Sequence, residues 1–562
     1  MRRRMTVVLA ATLLASLGVS SGAPAPAGAG PDRPKRVLII VLDQMRPDYV
    51  RMFDMDNVRA LMNGGVNYPN AVLGHMAATT VVSHNVITNG MFPKHMGWTN
   101  EVYRDVGDRL GGGEDAYYVT SSFDCEQFGT LIESEGYPKL EDYLGRGRGD
   151  AKFVAVGQKT TAACPAGQPT TEGVDNDIIV RMGSSQTLDC DGDGTRESWR
   201  GPSGINVPGY LSNVCGRFYV NTTPTYGTST TSPAWMYPLD GDRYAVGTDP
   251  QHRGGDIWTA DAAIKVMENE TDWRGMLVSF PSIDKMAHMW GANDRGPSGK
   301  GEDVYAFAHL PKVAKIADRQ VGRLLGALEA QGLSDETLVV LTADHAGQTA
   351  RRYHGVDAPD QGNYNWYYGA ETGSLADESY LDPSPAIDSL AYELEGNVAF
   401  TYQDGHIGVW LHDTSRDAKR TAARELAELP DVIATYARDR SRYEVVWSGG
   451  AASESERRWW ERRAQEIVDT MAARNGPDAV ALLRDDTSYG VKGDHGGHQR
   501  DIQRIPIAFS WPGLQSGATP GAGIRSADIL PTILRLLGIQ PDSAYPMDGR
   551  AVRLPRAALA ED

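Results

Sequence analysis

The chain has 562 residues, 41% of them hydrophobic, and a formal net charge of −18. That length exceeds one simple domain of ~100–200 residues but suits a large α/β core carrying insertions. The acidic balance excludes wrapping of a nucleic-acid backbone, which needs a basic footprint, yet leaves anionic small substrates open, because a bound cation inverts the local field.

Residues 1–29 read as an export signal. Arg2, Arg3 and Arg4 form a basic start, Thr6 to Val19 is apolar, and small residues around Ala23–Gly30 suit cleavage. The apolar run is too short to cross a bilayer, no later stretch reaches ~18 uninterrupted apolar residues, and no Cys lies nearby to carry a lipid. The expectation is a secreted or periplasmic protein with no membrane anchor, exported by the general or the twin-arginine route.

After a Pro-rich lead-in at 30–36, Val37-Leu-Ile-Ile-Val-Leu-Asp43 is a continuous apolar run ending on a carboxylate. Such a run reads as a strand buried on both faces. A helix follows through Val58–Asn63, residues 101–150 read as irregular, and Phe153–Gly157 reads as another buried strand. Residues 160–255 are rich in Gly, Thr, Pro and Asp and read as an insertion held by disulfides. The four cysteines, Cys125, Cys164, Cys190 and Cys215, allow three pairings; the C-x2-C spacings of a zinc–thiolate site are absent. Asp189, Asp191 and Asp193, followed by Gly194, resemble the opening of a Ca2+ loop. Arg200 stands where the bidentate Glu belongs, so a solvated acidic turn is the better reading.

Asp256–Glu268 has helical spacing. Met276-Leu-Val-Ser-Phe-Pro-Ser-Ile-Asp284 is a second strand running into a carboxylate, with His288 four residues on. Val313–Gln331 predicts an amphipathic helix, with Val313, Ile316, Val321, Leu324, Leu325 and Leu328 on one face and Gly332 as its stop. Leu338-Val-Val-Leu-Thr-Ala-Asp344, followed at once by His345, repeats the design a third time. Residues 350–395, with Tyr364, Trp366, Tyr367 and Tyr368, line a pocket or pack on themselves. Strands at 398–402, 407–411 and 432–436 and a helix near Asp417–Leu429 predict a small α+β cap over about 350–480. Ser453–Asn475 reads as a charged helix and Ile505–Trp511 as the last core strand. Alternating strands and helices predict an α/β fold with a central, mostly parallel sheet flanked by helices.

Ligands in open α/β sheets bind beyond the carboxyl ends of the strands. Three strands deliver Asp43, Asp284 with His288, and Asp344 with His345 to that edge, and a late His completes two sets of three. Mixed imidazole and carboxylate donors suit zinc, and paired metals serve in-line displacements. Asp284 and His288 share one side of a helical turn. A hydroxyl nucleophile is sought in Thr79-Thr80-Val-Val-Ser83-His84, ahead of a helix-compatible run, where the helix start favours developing negative charge; N-capping is the competing role for any one Thr there.

These residues resemble the alkaline phosphatase superfamily, within it the branch of nucleotide pyrophosphatase/phosphodiesterases and Thr-nucleophile alkaline phosphatases. The matching segments are the strand ending at Asp43, Thr80-x-x-x-His84 with Thr88-Asn-Gly90 and Pro93-x-x-x-Gly97, then Asn100, Asp284-x-x-x-His288, Asp344-His345-x-Gly347, and Gly493-Asp-His495-Gly-Gly-His498. The resemblance implies an alkaline-phosphatase-like fold, Thr80 as nucleophile, Asn100 on a phosphoryl oxygen, and two Zn2+ ions. Asp284, His288 and His495 (with His498 in reserve) would bind one zinc. Asp43, Asp344 and His345 would bind the other, which also activates Thr80; water then hydrolyses a phospho-threonine. It implies a small-molecule phosphate ester or nucleotide as substrate. In the Thr-type monoesterases a Lys-x-Arg pair clamps the extra phosphate oxygens; Lys159-Thr160-Thr161 supplies the Lys and not the Arg. That leans towards phosphodiester or nucleotide pyrophosphate substrates, with alkaline phosphomonoesterase as the alternative and a non-catalytic metal-binding protein as a further one. A sulfatase needs a C/S-x-P-x-R segment, and none occurs near Thr80.

Overall fold

A computed structural model describes residues 33–145, 151–167, 177–189, 194, 196–216, 255–290, 292, 302–354, 389–390, 392–394, 396–449, 453–490 and 493–557. The export signal, the aromatic residues 364–368, Cys190, Asp191 and Asp193 lie outside them. Among the described residues no helix is long and apolar enough to cross a membrane.

The first strand, β1 (Arg36–Leu42), is buried along its whole length, which explains an apolar run without polar alternation. The chain continues through α1 (Asp56–Gly64), β2 (Val66–Asn67), α2 (Thr80–Asn89), α3 (Cys125–Glu135), β3 (Lys152–Gly157), α4 (Thr160–Gly167), β4 (Ile178–Leu188) and β5 (Glu197–Ile205). Then come α5 (Gly255–Asn269), β6 (Trp273–Phe280), α6 (Ser282–Trp290), α7 (Glu302–Ala330) and β7 (Thr337–Thr342). An inserted unit holds β8 (Val398–Gln403), β9 (His406–Leu411), α8 (Arg416–Leu426), β10 (Val432–Asp439), β11 (Arg442–Ser448), α9 (Glu454–Val468) and β12 (Ala479–Leu483). The chain closes with β13 (Gly493–Asp494), β14 (Ile507–Ser510) and α10 (Ile529–Leu537).

The main sheet has eight strands in the order β2-β14-β7-β1-β6-β3-β4-β5. The pairs from β7 through β1, β6 and β3 to β4 are parallel, and the edge pairs β7–β14, β14–β2 and β4–β5 are antiparallel. This is the expected mostly parallel α/β sheet. On α7, Val313, Ile316, Val321, Leu324 and Leu328 are buried, and the helix begins upstream of its amphipathic part, running through Pro311.

Two stretches read as irregular are ordered. Residues 102–105 and 116–119 pair as a hairpin ahead of α3. Residues 178–188 and 197–205, expected inside an insertion, form the long β4–β5 pair that continues the main sheet; a register shift between Met182 and Ser185 breaks the alternation that would have revealed β4. The inserted strands make a five-stranded antiparallel sheet, β8-β9-β12-β10-β11. Ile407, Val409 and Leu411, alternate residues of β9, pack with Ala422, Ala423 and Leu426 of α8. Asp189 Oδ2 accepts a hydrogen bond from Gly194 N at 3.2 Å.

Cys125 at the start of α3 is bonded to Cys164 in α4, and Cys215 is also disulfide-bonded. The first bridge closes a loop of 39 residues. Removing it as Cys125→Ala/Cys164→Ala is expected to lower the unfolding free energy by about 2–4 kcal/mol, read as a lower denaturant midpoint.

Candidate active site at the carboxyl edge of the sheet

Val41 pairs with Thr342 and Leu42 with Phe280, so β1, β6 and β7 end level. Asp43 directly follows β1, Asp344 follows β7, and Asp284 lies in the first turn of α6 after β6. Gly157 of β3 pairs with Ser279, which brings Lys159 to the same edge. Asp43, Asp284, Asp344 and His345 are fully buried.

Lys159 Nζ donates to Asp43 Oδ2 and to Asp284 Oδ2, both at 2.6 Å. Asp284 Oδ1 lies 3.1 Å from His288 Nε2, one helical turn along, and 3.9 Å from His495 Nε2. His345 Nε2 lies 3.5 Å from Asp43 Oδ1 and 3.5 Å from Asp344 Oδ2. Donor atoms of Asp284, His288 and His495 gather within 4.8 Å of one another, and so do those of Asp43, Asp284 and His345. The first gathering is the expected trio, completed by His495; His498 stands outside both. In the second, Asp284 occupies the place expected of Asp344, whose Oδ2 still faces His345.

The electrostatics suit cations. Burial, then Asp284 and Asp344, hold Asp43 well above the usual carboxylate range. Burial pushes Asp344 up to about 6. Asp284 is opposed by burial, yet His288 and Lys159 keep it well below its ordinary value. Burial also lowers His288, His345 and His495, keeping the imidazoles neutral as metal ligands must be. Asp43 Oδ1, Asp344 Oδ2 and His345 Nε2 are buried with no hydrogen-bond partner, a costly arrangement that a coordinated cation relieves. Three carboxylates and three neutral imidazoles around the Lys159 ammonium are a donor set that could hold metal ions.

The backbone bends to assemble these groups. Gln44, just past Asp43, has φ 58°, a strained setting for a non-glycine residue; its N–H donates to Asp344 Oδ1 and its Nε2 to Gly493 O. β13 pairs with Gln348–Thr349 and lies against α6, delivering His495. A Cβ at Gly493 would overlap the carbonyl oxygen of Ala287, between Asp284 and His288. Only glycine lets the two segments approach this closely.

Thr80 is the first residue of α2 and half-buried; Thr79 holds the N-cap position but makes no capping hydrogen bond. Thr80 is thus not the N-cap residue. His84, one turn on, is held near pKa 3 by burial and is neutral. Its Nδ1 donates to Thr80 O at 2.8 Å and its Nε2 accepts from Ser279 Oγ at 2.9 Å, so the start of α2 is tied to the end of β6. Asn100 is buried; its Oδ1 accepts from Glu101 N at 2.7 Å and its Nδ2 lies 3.3 Å from His406 Nε2. His406 lies in the inserted sheet and was not singled out from sequence. Burial pulls its pKa down, but Asp404, 2.6 Å from Nδ1, raises it above the ordinary value.

Over residues 37–121 and 199–497 the sequence matches the family described as type I phosphodiesterase / nucleotide pyrophosphatase. No curated protein matches the chain. Among solved structures it is similar to wild-type alkaline phosphatase PafA, at 17% identity and TM-score 0.57, covering 93% of this chain and 99% of that one. It is also similar to murine ectonucleotide pyrophosphatase/phosphodiesterase 5, at 12% identity and TM-score 0.50, covering 92% and 97%. The human counterpart of the latter matches at 12% identity and TM-score 0.52, with the same coverage.

Gly493→Ala is expected to push β13 away from α6 and carry His495 off Asp284 and His288. The dissociation constant for a divalent cation should rise on the order of 10–100-fold, measured by chelator competition, while far-ultraviolet circular dichroism stays unchanged.

Proposed function

The chain belongs to the type I phosphodiesterase / nucleotide pyrophosphatase family and is a phosphoric ester hydrolase; from that premise we propose an exported two-zinc enzyme that acts through Thr80 and prefers phosphodiesters or nucleotide pyrophosphates. The observation that carries the reading is the meeting of three buried carboxylates and three neutral imidazoles, some of their donor atoms unpartnered, at one edge of a parallel sheet. Export rests on the character of residues 1–29.

Asp284, His288 and His495 would hold one zinc, and Asp43, Asp344 and His345 the other. Bound there, the ions supply Lewis acidity to the attacking and leaving oxygens of an in-line displacement. Thr80 Oγ gives up its proton to water and attacks phosphorus as the bond to the leaving oxygen breaks; the alcohol or phosphate group departs and takes up a proton, leaving a nucleotidyl- or alkyl-phospho-threonine from a diester, or a phospho-threonine from a monoester. Water then cleaves the phosphorus–Oγ bond and regenerates the hydroxyl. The start of α2 stabilises negative charge on Oγ, and the His84 bridge ties the Thr80 backbone to Ser279 at the end of β6. Asn100 offers an amide N–H to a non-bridging phosphoryl oxygen.

Lys159 bears on the substrate class. Its ammonium is committed to two carboxylates, and Thr161 stands where the monoesterase pattern has Arg. A monoester dianion asks for more positive charge than a diester monoanion, so the diester is favoured. A complex of an inactive variant of the murine structural neighbour with AMP supports a nucleotidyl substrate. Alkaline phosphomonoesterase is the second reading, favoured by the presence of Lys159 at the edge.

Thr80→Ala is expected to cut kcat by roughly a thousandfold or more, and a chelator to abolish turnover until zinc is returned. Full activity in the Thr80→Ala protein would sink the proposal. Assayed side by side, bis-p-nitrophenyl phosphate should exceed p-nitrophenyl phosphate in kcat/KM by at least about tenfold; a reversed ratio selects the monoesterase.

A further inference from the structure

The Asp404–Gly405 turn joins β8 to β9 in the inserted sheet, yet it docks on the loop that carries His495. Gly405 N donates to His495 O at 2.6 Å, and Gln499 Nε2 donates to Gly405 O at 2.7 Å. Gly496 has φ +78°, and a Cβ there would overlap the Asp404 carboxylate, so the turn and the loop interlock at a position only glycine fills.

His406, directly after this turn, is fully buried. Its Nδ1 donates to Gly496 O and faces Asp404 Oδ1, which also accepts from His406 N at 2.9 Å. With the proton fixed on Nδ1, the Nε2 of a neutral imidazole is an acceptor, and Asn100 Nδ2 lies 3.3 Å from it. The other end of the amide is fixed as well, since Asn100 Oδ1 accepts from Glu101 N. Tyr402 of β8 adds a second tie by donating to Glu101 Oε2 at 2.7 Å. An amide held at both ends keeps its plane and cannot exchange oxygen for nitrogen. One Nδ2–H is spent on His406, and the second N–H has a fixed direction.

We propose that His406, oriented by Asp404, is a positioning residue that aims the Asn100 amide at the phosphoryl group, so that the inserted sheet is part of the catalytic apparatus. This rests on the reading of Asn100 as the donor to a phosphoryl oxygen. Without the acceptor, only the bond from Glu101 N to Oδ1 orients the amide, and the direction of its N–H groups is less closely set.

The test is a double-mutant cycle on the zinc-loaded enzyme with bis-p-nitrophenyl phosphate. The variants are Asn100→Ala, His406→Phe, both together, and His406→Gln, whose Oε1 can accept from Asn100. Alone, His406→Phe is expected to lower kcat on the order of tenfold with KM little changed, and His406→Gln to restore most of the loss. In the Asn100→Ala background His406→Phe should have almost no further effect, and bound zinc should be equal in all variants. Asp404→Asn, run through the same cycle, tests the other end of the relay if His406→Phe does not fold. Equal losses in both backgrounds, or a loss that tracks missing zinc, overturn the proposal while leaving the hydrolase reading intact. Unchanged turnover in Asn100→Ala alone instead removes the role of Asn100, and this inference with it.

Discussion

Three carboxylates brought together out of water repel one another, and the rest of the site answers that repulsion. The register of β1 with β6 and β7 forces the crowding, because strands that end level place Asp43, Asp284 and Asp344 at one edge. Burying an ion costs several kcal/mol even after relaxation, and the upward shifts of Asp43 and Asp344 express that cost. Lys159 bridges two of the three and cannot neutralise the set. Cations bound there would therefore act on stability as well as on chemistry, since whatever binds only the folded state stabilises it.

A second tier of contacts makes the crowding usable. His84 locks the first turn of α2 to the end of β6, so the hydroxyl of Thr80 and the carboxylates are referenced to the same strands. Gln44 takes a strained backbone angle to set its N–H against Asp344, and strain of this kind persists only where the surroundings over-determine it. Gly493 gives up a side chain so that β13 can lie against α6. Each device trades local stability for geometry at the edge.

How much of this was legible depended on the range of each signal. The three strand-to-Asp transitions were readable because buried parallel strands are apolar on both faces and stop sharply. Asp284 with His288 was readable from helical spacing, and His345 from adjacency. His495 was not readable from periodicity, since β13 is two residues long; only the resemblance to a family located it. β4 and β5 were missed because polar residues and a register shift hide the alternation, and β12 because five residues of Ala, Val and Leu carry no period of their own. The contact between Asn100 and His406 spans 306 positions of sequence, beyond any local pattern.

That contact changes how the insertion is to be understood. A cap hung on a finished core would meet it through an apolar seam and leave the catalytic groups to the core. Here the segment Asn100–Asp105 runs between the two. Val102 packs with Tyr402 and Trp410 of the inserted sheet, and Tyr117 of the adjoining strand stacks on Phe400 at 5.5 Å. Trp410 Nε1 donates to Asn475 O at 2.9 Å while Asn475 Nδ2 donates to Gly97 O. The strand that follows Asn100 is thus set by aromatic packing against the insertion, and its amide by a histidine of the insertion, whereas Thr80 and the carboxylates are set by the main sheet. In the proposed reaction, attack on phosphorus by Thr80 needs the nucleophile and the phosphoryl oxygen in one frame, to within a fraction of an ångström. The docking of the two sheets, through the Asp404–Gly405 turn and the His495 loop, is what joins those frames.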